Sequence, residues 1–282
     1  MIRRLAVVGL GLLGGSVAKA ARERGLAREV VAVGRRIESL TGALSERVVD
    51  RVTTDLSDGL AGADFVILAT PVATAEGLLP KVWQAAADGA VITDVGSTKA
   101  PIVRCADTLP AERSLVFVGS HPMAGSELSG YGAARADLFD GALVIATPTE
   151  RTDPLALKRV SEFWEALGGR VSAMDPDEHD RAVAAVSHLP HLTAYALVEA
   201  VARLNPAFFG VAARGFKDTT RIAASDARVW REIFLSNRAA LSEVLGAFRA
   251  SLGALERLVA AEDGEGLELK LEEIRQLRNR LE

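Results

Sequence analysis

The stretch Val7-Val8-Gly9-Leu10-Gly11-Leu12-Leu13-Gly14-Gly15-Ser16 limits what this chain can become. Residues 5–8 are apolar and read as a buried strand. The glycines read as a tight turn, and residues 12 to about 24 as a helix. Gly9 permits the turn. Gly11 presents bare backbone to an approaching phosphate, and Gly14 lets the helix pack closely on the strand. The free N–H groups at the helix start then face an anion. Three glycines so spaced weaken a helix start without other benefit. A second strand at 29–33 completes the context of a dinucleotide fingerprint. Leu12 and Leu13, opening the helix, fall among the expected cofactor-binding residues with Gly9, Gly11 and Gly14.

The same alternation continues through the first half. A weak strand is predicted at 51–53, then clear apolar runs at 65–69, 90–95, 115–119 and 142–146, and a last strand at 170–173. Helical patterns cover 73–87 and 154–167. Continuous apolar strands separated by helices predict a parallel sheet covered on both faces, an α/β Rossmann-type domain. After Asp175-Pro176 no strand pattern remains. Long amphipathic helices are predicted at 177–203, 227–259 and from 267 onward, with Pro190 kinking or breaking the first. A chain of 282 residues suits one large or two ordinary domains. The boundary is expected near Met174, giving a dinucleotide-binding domain at 1–174 and an all-α domain at 175–282. The stripe Leu241, Leu245, Phe248, Leu252 and Leu255 is too apolar for a small lone bundle. It predicts a helical core shared with a second copy, a homodimer.

Composition narrows the function classes. A net charge of −4 gives no reason to expect nucleic acid or an anionic membrane as partner. Cys105 is the only cysteine, which excludes an internal disulfide and a cysteine-based metal cluster. Arg3-Arg4 before an apolar run resembles a secretion signal. That run carries glycines, however, and flows into a helix bearing Lys19, Arg22, Glu23 and Arg24, so it reads as the start of a fold. No apolar stretch approaches a membrane-spanning length. A cytoplasmic enzyme is expected.

Ligands of open parallel sheets bind beyond the carboxyl ends of the strands. The polar residues there are Arg35-Arg36, Thr70-Pro71, Asp94 to Thr98 and Ser120-His121. Arg35 and Arg36 stand where an acidic residue would serve the ribose of NAD. Two arginines suit a 2′-phosphate, so NADP is favoured and NAD is the alternative. Of Ser97 and Thr98, one is expected to cap the following helix and the other to face the cleft. His121 is placed to accept a proton from a hydroxyl becoming a carbonyl, or else is a buried, satisfied histidine. His188 and His191 have a spacing that can hold metal on a helix. No third ligand is near and Pro190 disturbs the geometry, so no metal is expected and one of the pair lines a substrate site. Arg214, Lys217 and Arg221 share a helical face among small apolar residues, which predicts partial burial against an anion such as a substrate carboxylate.

Six segments together resemble the prephenate/arogenate dehydrogenases of tyrosine biosynthesis. They are the glycine-rich turn, Ala69-Thr70-Pro71-Val72, Thr93-Asp94-Val95-Gly96-Ser97-Thr98-Lys99, Gly119-Ser120-His121-Pro122-Met123-Ala124-Gly125-Ser126-Glu127, Ser187-His188-Leu189-Pro190-His191, and Gly215-Phe216-Lys217-Asp218-Thr219-Thr220-Arg221-Ile222-Ala223. The resemblance implies oxidative decarboxylation of a cyclohexadienol, prephenate or arogenate, with hydride passing to NAD(P)⁺. It implies that His121 takes up the proton of the ring hydroxyl and that Ser97 contacts that hydroxyl. Arg221 would hold a substrate carboxylate, His191 would line the pocket, and Glu127 and Asp218 would sit at its mouth. Ser126 would help choose between ligands, and Trp230 would close a wall. Thr70, Pro71 and Asp94 join the cofactor residues.

Two other readings compete. A β-hydroxyacid dehydrogenase would use a helical lysine, for which Lys217 is the only comparable candidate, and would leave the His121 segment unexplained. A non-catalytic dinucleotide sensor should lack a base or an anion anchor, yet His121, Ser97 and Arg221 are all present.

Overall fold

The computed structural model describes residues 1–110, 113–125 and 128–281. Two compact units emerge, Met1–Asn237 and Arg238–Glu282.

The first unit is built on an eight-stranded sheet of order β3-β2-β1-β4-β5-β6-β7-β8. Its elements begin with β1 (Ile2–Val8), α1 (Leu12–Glu23), β2 (Ala27–Val33), α2 (Thr41–Ser45), β3 (Arg51–Thr53), α3 (Leu56–Leu60), β4 (Phe65–Leu68) and α4 (Val72–Ala85). They continue with β5 (Val91–Asp94), α5 (Ala100–Asp107), β6 (Val116–Pro122), β7 (Leu143–Thr147), α6 (Pro154–Ala166) and β8 (Arg170–Ala173). Successive side chains on β1 point to opposite faces, as the strand period demands. Leu5 and Val7 pack under α1 and α6 with Val17, Phe163 and Trp164. Ala6 and Val8 pack on the other face, under α4 and α5 with Leu79, Val82 and Ile102. Burial on both faces explains the unbroken apolar runs that made the strands legible.

Two strands depart from the expected direction. β1 to β6 pair parallel, but β7 runs antiparallel to β6, with His121 opposite Ile145 and Pro122 opposite Val144, and β8 follows β7 in parallel. An antiparallel neighbour needs no crossover helix, and an apolar run does not encode its own direction.

Beyond the sheet lie α7 (Pro176–Val183), a π turn (Ala184–His188), α8 (Leu189–Leu204), α9 (Arg214–Thr220) and α10 (Ala227–Ser236). Pro190 does not end the helix, which runs on from α7 through the π turn into α8; the winding widens just before it, in that π turn. The expected helix at 227–259 is two helices. Asn237 ends α10, and its side chain turns inward to donate to the Asp180 carbonyl, 2.7 Å. The second unit is a helical hairpin of α11 (Arg238–Ala260) and α12 (Gly264–Arg278). Asp263 caps α12 by accepting from Gly266 N, and Glu262 turns the corner at positive φ. Leu252, Val259, Leu269 and Leu277 are exposed on this hairpin in the single chain. No helix among the described residues is long and apolar enough to cross a membrane.

Trp164 is a keystone of the sheet's first face. It is fully buried, stands edge-on to Phe139 and Phe163, and donates from Nε1 to Ser120 Oγ at 3.0 Å. Trp164→Ala should therefore lower unfolding free energy by about 3–5 kcal/mol. Urea denaturation of the purified variant measures this.

Candidate active site

The dinucleotide cradle is built as the glycine pattern requires. Gly9 has φ +97°, and a Cβ there would lie 2.7 Å from the Ala69 carbonyl oxygen. A Cβ on Gly14 would collide with the Gly9 carbonyl oxygen, whereas the space beside Gly11 is open. Leu12 and Leu13 form the first turn of α1, whose N-terminus carries no side-chain cap. Its N–H groups are left for a ligand. Thr70 closes against Gly9, and its buried Oγ1 has no hydrogen-bond partner, a polar atom with work left to do. Pro71 starts α4. Arg35 and Arg36 are exposed beyond β2 and form no ion pair among the described residues. These features fit a dinucleotide. Asp94, expected among the cofactor residues, is buried, and its carboxylate accepts from Gly96 N at 2.8 Å, from Ser120 N at 3.0 Å and from the Lys99 ammonium. It braces β5 against β6.

A cavity of about 520 Å³ opens beside these strand ends. Its polar walls include Ser97, His121, His188, His191, Arg221 and Asp226, and Trp230 supplies an aromatic side. Met123, Ile222, Val229 and Ile233 make it partly apolar. Ser97 faces it, while Thr98 is fully buried and meets Ser236 Oγ at 3.1 Å. Neither hydroxyl caps α5. The Asp180 carboxylate does so from α7, accepting from Lys99 N at 2.7 Å and Ala100 N at 3.0 Å. Arg221 opens a 3₁₀ turn after α9, lines the cavity, and has no ion pair among the described residues. Lys217 and Asp218 are exposed on α9 and are not among the residues lining the cavity, and Asp218 pairs with Arg214 at 3.3 Å. The partial burial expected of the face with Arg214, Lys217 and Arg221 is not found in the single chain. Ser126 and Glu127 lie outside the described residues.

The histidines are the centre of the site. His121, at the end of β6, is 8% exposed. Its Nδ1 lies 2.9 Å from His179 Nε2, and His179 Nδ1 lies 2.8 Å from Asp180 Oδ1. Burial, together with the fields of His179, Lys99 and His188, holds His121 well below the ordinary imidazole range. It is neutral at neutral pH. His191 stacks on Trp230 with ring centroids 3.4 Å apart, and its Nδ1 meets the Ser187 carbonyl at 2.9 Å. Burial lowers it too, and Arg221 adds to that. Sequence reasoning assigns no role to His179 or Asp180. Their neighbours Asp177 and Glu178 made the segment look like an ordinary polar first turn. Only the pattern of buried faces on α7, with His179, Asp180 and Val183 inward, separates them.

His188 sets a pH dependence. Burial drives it down from 6.5 to about 4, against the pull of Asp180. A histidine depressed in the native state keeps fewer protons than the unfolded chain between those values. Its stabilising contribution is complete above pH 6.5 and is lost as pH falls toward 4. Unfolding free energy should decline across that window. His188→Asn, whose Oδ1 can still accept from Asn237, should flatten the decline, as denaturant titrations at stepped pH would record.

Comparisons with known proteins agree along the whole chain. A family described as "Prephenate dehydrogenase, nucleotide-binding domain" matches residues 17–173, and "Prephenate dehydrogenase, dimerization domain" matches 175–273. Cyclohexadienyl dehydrogenase of Zymomonas mobilis is 34% identical over 95% of this chain and 92% of its own length. Prephenate dehydrogenase of Bacillus subtilis is 34% identical over 93% of this chain and 71% of its own. Among solved structures, the Aquifex aeolicus prephenate dehydrogenase in complex with hydroxyphenyl propionate and NAD⁺ superposes with a TM-score of 0.93. It is 36% identical and covers 100% of this chain and 99% of that one. Arogenate dehydrogenase of Synechocystis gives 0.83 at 30% identity, over 98% and 99%. With one fold, one order of motifs and both family domains in succession, this chain belongs to the prephenate dehydrogenase family.

Proposed function

We propose that this chain is an NAD(P)-dependent dehydrogenase that converts prephenate to 4-hydroxyphenylpyruvate by oxidative decarboxylation, in tyrosine biosynthesis. The observation that carries this reading is the pairing, in one cavity, of a neutral buried imidazole at His121 with an arginine, Arg221, that forms no ion pair among the described residues. A cyclohexadienol with carboxylates asks for that pair. The relatives are named for prephenate, cyclohexadienyl and arogenate activities, so arogenate, giving tyrosine directly, is the alternative substrate.

Gly9, Gly11, Leu12, Leu13, Gly14, Thr70 and Pro71 would hold a nicotinamide dinucleotide, which when bound supplies the hydride acceptor. The open guanidiniums of Arg35 and Arg36 favour a 2′-phosphate and hence NADP over NAD. His121 hydrogen-bonds the ring hydroxyl and takes its proton as the carbon–oxygen double bond forms. Ser97 donates to the same oxygen and fixes its direction. Arg221 binds a substrate carboxylate through its fork. Trp230 and His191, stacked, form a wall against which a six-membered ring lies flat. Loss of CO₂ restores aromaticity and provides much of the driving force, so one base and orientation suffice. A division into domains at about 174 is supported by the bounds of the two family matches. A homodimer through the helical domain is supported by the apolar residues exposed on α11 and α12.

Reduction of NAD⁺ and NADP⁺ with prephenate and with arogenate tests the reading. Turnover with one substrate is expected, faster with NADP⁺, and silence in all four mixtures from folded protein that binds cofactor would reject it. His121→Asn should cost about 100-fold or more in kcat with cofactor affinity intact. Arg221→Ala should raise KM by roughly 10-fold or more, consistent with loss of a charged hydrogen bond, with a smaller change in kcat. Steady-state kinetics of the two variants separate these outcomes.

A further inference from the structure

The chain His121–His179–Asp180 is too ordered to be incidental, and its hydrogen bonds fix where the protons lie. The Asp180 carboxylate is an acceptor on both oxygens. Oδ1 receives Lys99 N and Oδ2 receives Ala100 N, the first N–H groups of α5. The group 2.8 Å from Oδ1 on His179 must therefore be a donor, so His179 carries its proton on Nδ1. In the tautomer with its proton on Nδ1, the completely buried His179 presents a lone pair at Nε2. His121 Nδ1, 2.9 Å away, must then be the donor. The lone pair of His121 is left on Nε2.

We propose that His179 and Asp180 are positioning residues that hold His121 in the Nδ1–H tautomer, keeping Nε2 free as the base. This deepens the reading of the site given above and rests on it for the identity of the substrate hydroxyl. When the hydroxyl O–H bond breaks and the Nε2–H bond forms, His121 becomes an imidazolium. Its bond to His179 then becomes charge-assisted, and the single negative charge of Asp180 stands two bonds away. No proton needs to move along the chain, as with the orienting carboxylate of a serine-protease triad. The other charged and titratable groups around His121 oppose its protonation or are balanced. Lys99 is buried and paired with Asp94, and neutral His188 comes from the π turn. Asp180, whose field also reaches Lys99 and His188, is the anion that this hydrogen-bonded chain joins to the new charge. It is itself held by Asn237, which donates to its carbonyl at 2.7 Å.

The test reads the proton directly. In ¹⁵N-histidine-labelled wild-type protein, His121 (assigned by its disappearance in His121→Asn) should show a protonated Nδ1 and a bare Nε2. His179→Gln puts an amide oxygen where the ring Nε2 stands. It should keep that tautomer and lose less than about 10-fold in kcat. His179→Asn keeps only the donor to Asp180. It should release His121 to the Nε2–H tautomer and lower kcat on the order of 100-fold with cofactor affinity and KM little changed. A proton on His121 Nε2 in the wild type would overturn the proposal, whatever the enzyme's substrate. So would equal losses in the two variants with the His121 tautomer unmoved. Because the spectrum needs no turnover, failure of the proposed activity and failure of the relay are distinguishable.

Discussion

Much of this structure hangs on the carboxylate of Asp180. It terminates α5, whose own sequence offers no cap, and it anchors His179 on the helix to which it belongs. One buried acid therefore ties the carboxyl end of the sheet to the helical segment that follows it. Directly beneath is a second buried acid, Asp94, which holds Lys99, Gly96 and Ser120 together. Removing either partner of such a pair leaves an uncompensated charge in low dielectric, so both are costly to change. The cavity walls inherit that rigidity. Ser97 lies between the two anchored residues Asp94 and Lys99, and His121 follows Ser120, which receives hydrogen bonds through Trp164 as well.

The imidazoles show how one environment assigns opposite roles to similar groups. His121 is bonded through Nδ1 to another ring and His191 through Nδ1 to a backbone carbonyl, so each leaves Nε2 bare. His188 instead meets the amide of Asn237 with its Nδ1. That amide must donate, because it also faces the Asp180 carbonyl. His188 consequently carries its proton on Nε2. The same cavity thus holds acceptors and a donor, the difference set by which neighbour each Nδ1 meets.

The fold was largely legible because its cues are local. Apolar runs gave the strands, and the spacing of Gly9, Gly11 and Gly14 gave the first βα turn to within a residue of what is found. What escaped depends on partners distant in the chain. The reversed direction of β7 and β8 is not encoded in their own apolar runs. The break at Asn237 reflects a side chain drawn inward to Asp180, 57 residues away. The site divides in the same way. Ser97, His121, His191, Arg221 and Trp230 stand at the cavity, but Asp94, Lys217 and Asp218 do not line it. Asp94 was attractive because it ends a strand, and position alone cannot tell a brace from a ligand. His179 and Asp180 were invisible because two acids and a histidine opening a helix look like a solvated first turn.

The π turn at Ala184–His188 has one more residue than an α-helix would place there. Each residue of an α-helix advances about 100° around its axis. In the wider π turn each residue advances less, so the extra residue is absorbed locally and α8 leaves the turn facing as it would after a regular turn one residue shorter. A single deletion inside the turn would restore regular winding with little change in where His191 points, whereas a deletion in the regular turns of α7 would swing the following turn by that angle. Length is thus tolerant at this one turn and strict beside it.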